Sequence, residues 1–357
     1  MRTPLRTKLL FLFAIFYLHQ PLKSVAQLTV KTEIYPGVEL LNVIHLLSDS
    51  AETVPSTYAN DVRKHFAAFK DHPAVIKART LDLINCDFPI RHSWCFYNFP
   101  DIKLHLPDTL WAYNKYVSTT TLREYFIACM DFYKKSKFWD FYTAYQPNYD
   151  KWKRAFKKNL YEECMLASID DFYKLKPSNK VTFTLGAMNC NSFALPETGE
   201  INPAFHGTST IFIAFGNLYK ANDSTPPYFY SKFNSQLIWH EAGHVYLADL
   251  FKKYSNNVEA IRGYFDKNDS MQKLAVPLSW SNFLDENITQ AVTSYLRIQT
   301  NIVTREKEIE RLSGFNEMAK IIIDIIEEKY ALKTTYANFD EFFPVLLREL
   351  STRLTNP

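Results

Sequence analysis

Glycine is scarce, with 8 in 357 residues. β-Sandwiches and propellers need glycine at many tight turns, and this shortage argues against both. Cysteine is scarce too. Cys86, Cys95, Cys129, Cys164 and Cys190 contain no C-x-x-C, which excludes a cysteine zinc ribbon. No apolar run reaches the roughly 18 residues that a membrane helix requires. Internal repeats and low-complexity segments are absent, so a solenoid is excluded as well. The charge has little excess of either sign, with 41 Lys and Arg against 38 Asp and Glu and a formal net of +3.

That small excess sits at the N-terminus. Arg2, Arg6 and Lys8 precede an apolar run from Leu9 to Leu18, and Ser24-Val25-Ala26 ends the segment with small residues. A basic stretch, a 10-residue apolar core and an A-x-A-like site predict a secretory signal peptide over residues 1–26. The mature chain is then secreted or periplasmic. No cysteine lies near the cleavage point, so no lipid anchor is expected. Removing residues 1–26 takes away four positive charges and leaves −1. A near-neutral chain has no bulk electrostatic reason to bind nucleic acid. Without a later apolar run, no stable membrane insertion is expected after signal removal. An odd cysteine count in an exported chain leaves at least one thiol free. Cys86 and Cys95 are close enough for a local bridge. Cys129 follows Leu122 and Phe126 at helical spacing and is expected to be a buried free thiol.

With 47% hydrophobic and 22% charged residues the chain can bury a core. Aromatics reach 16% but are spread along the whole length, which favours the codon bias of an AT-rich genome over a sugar- or peptide-binding groove. The pattern predicts an α+β fold, mostly helical. Residues 28–34 alternate as a strand would, and Val38 to Leu47 reads as a helix. Residues 27–175 form a mainly helical N-terminal region, including helices over Thr121–Lys134 and Tyr149–Tyr173. Residues 176–357 carry strands at Val181–Leu185 and Thr208–Phe215, with Asn189 to Gly207 between them as a loop. Helices follow over Ser231–Tyr254, Phe283–Thr300, Thr304–Tyr330 and Asn338–Arg353. Pro344 is expected to end or kink the last one.

His240-Glu241-Ala242-Gly243-His244 carries the chemistry. Apolar residues from Leu237 to Phe251 surround it, which predicts a buried helix. Residues four apart on a helix lie on one face about 6 Å apart along the axis. Two imidazoles so spaced can converge on one ion at the 2.0–2.1 Å that zinc requires. Glu241 projects about 100° away from His240. Its carboxylate is therefore near the ion but not on it, the place for a general base acting on water. Two buried histidines and a glutamate without a metal would leave several polar groups to satisfy. Gly243 costs roughly 1 kcal/mol of helix propensity, so close packing against it is expected. Leu247 and Leu250 occupy the positions where the extended H-E-x-x-H-x-x-G-x-x-H pattern needs Gly and His, which excludes that arrangement. A carboxylate from a later helix is the alternative third ligand. Asp285 and Glu286 open such a helix, whose buried side is formed by Leu284, Ile288, Ala291, Val292 and Tyr295.

The H-E-x-x-H segment followed by Asp285-Glu286-Asn287 at a helix start resembles the gluzincin arrangement of zinc metallopeptidases. The resemblance implies a zincin-like catalytic region with a small mixed sheet and an active-site helix. It implies Zn2+ held by His240, His244 and Glu286, with Glu241 as catalytic base and a peptide or protein as substrate. Many gluzincins place an acidic residue four after the ligand glutamate. Gln290 stands there, which leaves Asp285 open as the ligand instead. Val38 to Ile44, Tyr58, Phe66, Phe69 and Lys70-Asp71-His72-Pro73 also resemble the opening of an uncharacterised family of secreted Bacteroidetes proteins, which carries a domain of unknown function with a zincin-like motif. Weaker candidates for stabilising an oxyanion are His206, Tyr228, Tyr230, Tyr246 and Tyr295. Two other functions stay open on sequence alone. One is an extracellular binding or nutrient-capture module with little proteolysis. The other is a zinc hydrolase of non-peptide amides or esters.

Overall fold

The structure is a computed structural model. It describes residues 30–49, 53–81, 91–106, 118–162, 165–195, 206–215, 220–229, 235–267, 279–313, 317–331 and 335–355. The proposed signal peptide, Cys86, Cys164 and Tyr230 lie outside the described residues.

The fold is α+β and mostly helical, with a small mixed sheet. Strand β1 (Val30–Glu33) leads into helix α1 (Pro36–Leu47), which opens on Pro36, where a missing N–H costs nothing. Helices α2 (Thr57–His65) and α3 (Pro73–Leu81) follow, then a short hairpin of β2 (Phe96–Tyr97) and β3 (Lys103–Leu104). Helices α4 (Thr119–Lys135), α5 (Phe138–Ala144), α6 (Gln146–Glu162) and α7 (Met165–Tyr173) complete the first half. The described residues of the helix expected over Tyr149–Tyr173 are helical on both sides of 163–164, which lie outside the described residues.

Strands β4 (Lys180–Leu185), β5 (Phe193–Leu195) and β6 (Thr208–Ile213) then join β1 in one sheet of order β1-β4-β6-β5. β1, β4 and β6 are parallel, and β5 runs antiparallel to β6 with Phe193 opposite Phe212. The stretch expected as a plain loop therefore contains an edge strand. Helix α8 (Ser235–Lys253) carries the H-E-x-x-H segment. After it come α9 (Ser255–Ala260), α10 (Arg262–Asp266), α11 (Trp280–Gln299), α12 (Arg305–Leu312) and α13 (Glu317–Ile325). A π-helical turn over Ile326–Ala331 and helix α14 (Phe339–Thr355) end the order. The buried hydrophobic residues form one continuous cluster from Ile34 to Leu354. Among the described residues no helix is long and apolar enough to cross a membrane.

Pro344 does not end its helix, because it lies inside α14. A proline there leaves the carbonyl four residues earlier without its helical donor. The Tyr254 hydroxyl donates to that carbonyl, Asp340 O, at 3.3 Å. Cys129 is a buried free thiol, as its spacing predicts. Cys95 is free and buried as well, so the local bridge to Cys86 is not formed. Burial pushes the Cys95 thiol up to about 12, which keeps it protonated and inert.

The N-terminal half contains a buried acid. Glu39 on α1 is fully buried, and Tyr58 donates to its Oε2 at 2.5 Å while Oε1 has no partner. Burial pushes its carboxyl up to about 7, against the hydrogen bond from Tyr58, which acts downward. An acid with a raised folded pKa costs nothing below its unfolded value and destabilises as pH rises through the folded value. Wild-type stability is therefore expected to fall between about pH 5 and pH 8, by at most about 3 kcal/mol. Glu39→Gln should flatten that slope in urea melts, and a slope that survives the substitution would clear Glu39.

Candidate metal centre

Helix α8 is apolar nearly all round, which is the pattern of a buried helix. Trp239 and Leu247 are fully buried, and Trp239 Nε1 donates to Met165 O at 2.9 Å, tying α8 to α7. Helix α11 begins at a Ser279 cap whose hydroxyl accepts from Asn282 N at 3.2 Å. Its buried stripe of Leu284, Ile288, Ala291 and Val292 turns the residues of its second turn toward α8. Tyr295 is only partly buried and packs on Phe172 instead.

The two helices meet at Gly243. A Cβ added there would lie 2.9 Å from Thr289 Cγ2 and 3.5 Å from the Tyr173 hydroxyl. The helix-weakening glycine is thus explained by the close approach of α11. Gly243→Ala is expected to destabilise by about 1–2 kcal/mol, overpacking outweighing the propensity gain. Adding Thr289→Ser removes the clashing methyl and should restore most of the loss in denaturant melts. A single variant more stable than wild type would refute the close-packing account.

This approach gathers His240, His244 and Glu286. One ligand atom from each lies within 4.8 Å of the others. His240 Nε2 is 3.3 Å from Glu286 Oε2, and His244 Nε2 is 3.6 Å from Glu286 Oε1. The two imidazoles stand nearly perpendicular, 4.9 Å between ring centres. Two nitrogens and one carboxylate facing a common point suit zinc, which favours three protein ligands and an open position in catalytic sites.

Asp285 faces the other side of the ring. Its Oδ2 is 2.7 Å from His244 Nδ1. Adjacent residues on a helix point about 100° apart, so Asp285 holds the back of the imidazole while Glu286 meets its front. A carboxylate on Nδ1 fixes the tautomer that leaves Nε2 free for a metal. Of the two carboxylates left open by sequence, Glu286 converges with His240 and His244, and Asp285 lies behind the His244 ring. Gln290 takes no part, since its amide donates to Ser294 Oγ at 3.1 Å.

The electrostatics follow from this crowding. Burial disfavours charge on His244, but Asp285, Glu286 and Glu241 outweigh it and push the ring up to about 9. Burial acts to raise Glu286, yet His240 and His244 hold it below the usual carboxylate range. A divalent ion would replace those protons as the counter-charge. Glu241 is buried beside the triad at 5% exposure. Burial pushes its carboxyl up to about 7, although His240, His244 and a hydrogen bond to the Ala194 main chain all act downward.

A domain of unknown function, DUF4932, matches residues 29–348. The chain belongs to the DUF4932 family. No curated protein and no solved structure matches it. In this DUF4932 chain the match spans α8, α11 and the whole sheet, so the triad lies inside the family's domain.

Two parts of the DUF4932 site escape a reading of sequence. Strand β5 brings Ala194 to Glu241, and its three residues are too few to show a period. The support role of Asp285 needs coordinates, since its type alone also fits a ligand. The oxyanion candidates fare unevenly. Tyr246 is excluded: it is buried, stacked on Tyr173, and its hydroxyl donates to Asp170. Tyr295 lies over two helical turns beyond Glu286 and packs on Phe172, so it is excluded too. Tyr228 and His206 are exposed on the segments either side of β6, and Tyr230 lies outside the described residues.

Proposed function

We propose that this chain is a secreted or periplasmic zinc-dependent metallopeptidase with a zincin-like catalytic region. The observation that carries the reading is the convergence of His240, His244 and Glu286 on one point with the buried Glu241 carboxylate beside it. Zinc bound there supplies a Lewis acid and lowers the pKa of water at the open position. His240, His244 and Glu286 present the two nitrogens and one carboxylate that hold it, and Asp285 keeps the His244 ring turned correctly. Glu241 takes the proton of the attacking water and returns it to the leaving amine. Packing against α7 and α11 keeps that carboxyl dry, which holds its basicity near neutrality.

Strand β5 lies at the end of the sheet, antiparallel to β6 and in contact with Glu241 through Ala194. An extended peptide pairing with the edge that no other strand among the described residues covers would run past the base, with main-chain hydrogen bonds setting its register. That geometry favours a peptide over a small amide or ester, which has no backbone to pair.

The test is the purified mature protein. One equivalent of zinc by mass spectrometry, together with cleavage of a peptide pool that a chelator stops and zinc restores, is expected. Zinc at one equivalent with no cleavage of any pool would leave a binding module. No zinc at all would end the metallopeptidase reading.

A further inference from the structure

A cavity lies away from the triad, at the β1 end of the sheet. It has a volume of about 1080 Å³. Its floor is a cross-strand row. Lys31 pairs with Thr182 and Thr182 with Thr210, while Lys180 pairs with Thr208. Residues paired in register project to the same face, so a lysine and two threonine hydroxyls stand side by side, with a second lysine and threonine in the next row. Helix α6 contributes Lys153, Arg154 and Lys157, and the segment entering β4 contributes Lys176.

Six cations thus line a groove that holds two carboxylates, Glu33 and Asp150. Those two are engaged already, Glu33 with Lys31 at 2.5 Å and Asp150 with Lys153 at 2.8 Å. Among the described residues Arg154, Lys157, Lys176 and Lys180 have no carboxylate in salt-bridge range. The mature chain carries a net charge of −1, so this surplus is local. A single lysine on an edge strand is a common guard against aggregation. Lys31 alone would serve that purpose; four further unpaired cations around a concave surface exceed it.

The same place offers main-chain bonds. Among the described residues β1 is the terminal strand of the sheet and pairs with β4 on one side only. All four β1 residues line the groove, so a strand added at this edge would run along it. Among the described residues no aromatic ring lines the cavity, so they offer no stacking platform of the kind that sugars and bases use.

We propose that this groove binds an extended acidic peptide segment, added as a strand to the edge of β1. Glutamates, aspartates or phosphorylated residues at alternate positions of the guest would meet the cations, and its backbone would pair with Val30–Glu33. The groove shares no residue with the triad, so the proposal does not depend on the hydrolytic reading.

Fluorescence anisotropy tests it with a labelled peptide of about ten alternating Glu and Thr residues. The full mature chain carrying Glu241→Gln is used, so the probe stays intact whether or not the protein is a peptidase. Saturable binding is expected, weakened at least about tenfold by the combined charge reversals Arg154→Glu, Lys157→Glu and Lys180→Glu. These residues are exposed, and an unchanged melting temperature shows that the variant folds. Replacing the guest's glutamates with glutamine, or N-methylating alternate residues, should each weaken binding by a similar factor. Equal binding by the reversed variant, by the glutamine peptide or by the N-methylated peptide would overturn the proposal. So would a sulfated oligosaccharide that binds more tightly than the acidic peptide.

Discussion

Replacing Glu241 with glutamine is expected to lower hydrolysis of a peptide pool by a factor of about a thousand, with zinc content unchanged. The two side chains have nearly the same shape, and Glu241 is not among the three converging ligands. Glutamine keeps an oxygen to accept the Ala194 main-chain hydrogen bond, so α8 and β5 should stay in register. Only the capacity to take a proton disappears. A positioned base contributes roughly two to four decades of rate, which sets the size of the loss. Burial, which pushes the Glu241 carboxyl up to about 7, is the physical reason the group can act as a base near neutrality, where an exposed glutamate is too weak. Zinc by mass spectrometry and initial rates on the same sample separate the two effects. Undiminished turnover in the zinc-loaded variant would remove Glu241 from the mechanism. Loss of zinc along with turnover would show instead that the residue shapes the binding site.

The parts of the site that sequence exposes are those governed by helical periodicity. His240 and His244 had to lie on one face once α8 was read as a helix, and the apolar stripe of α11 had to turn Asp285 and Glu286 toward it. What periodicity cannot resolve is the difference of about 100° between neighbours, which sends Glu286 to the front of the His244 ring and Asp285 to its back. Strand β5 was hidden for another reason: Phe193–Leu195 has no local signal and exists because β6 offers a partner. Pro344 does not end its helix, and the Asp340 carbonyl it leaves without a helical donor is met by a distant hydroxyl on Tyr254. Tyr246 was only a weak candidate, and its place in the core, with its ring on Tyr173 and its hydroxyl on Asp170, needs coordinates to see. The basic groove draws on position 31, on 153–157 and on 176–180, segments brought together only by the strand order.

If zinc is held at the triad, its loss should be graded by whether a side chain would bind the ion or only support a ligand. His244→Ala removes a ligand nitrogen and leaves Asp285 without its partner, so binding should weaken by about 3–4 kcal/mol, a factor of several hundred. Glu286→Ala removes one charged ligand and should cost a comparable amount. Asp285→Asn keeps all three ligands but loosens the His244 ring, and supporting groups of this kind are worth about 10- to 100-fold in affinity. The order of effects therefore carries the assignment. A competition titration against a chelator of known affinity measures all three variants on one scale, and thermal melts with and without zinc give an independent reading, because a ligand that binds the folded state alone raises its stability by mass action. If Asp285→Asn loses as much zinc as His244→Ala while Glu286→Ala loses none, the two neighbouring carboxylates have exchanged roles, and α11 must rotate by about 100° from the position that its buried stripe dictates.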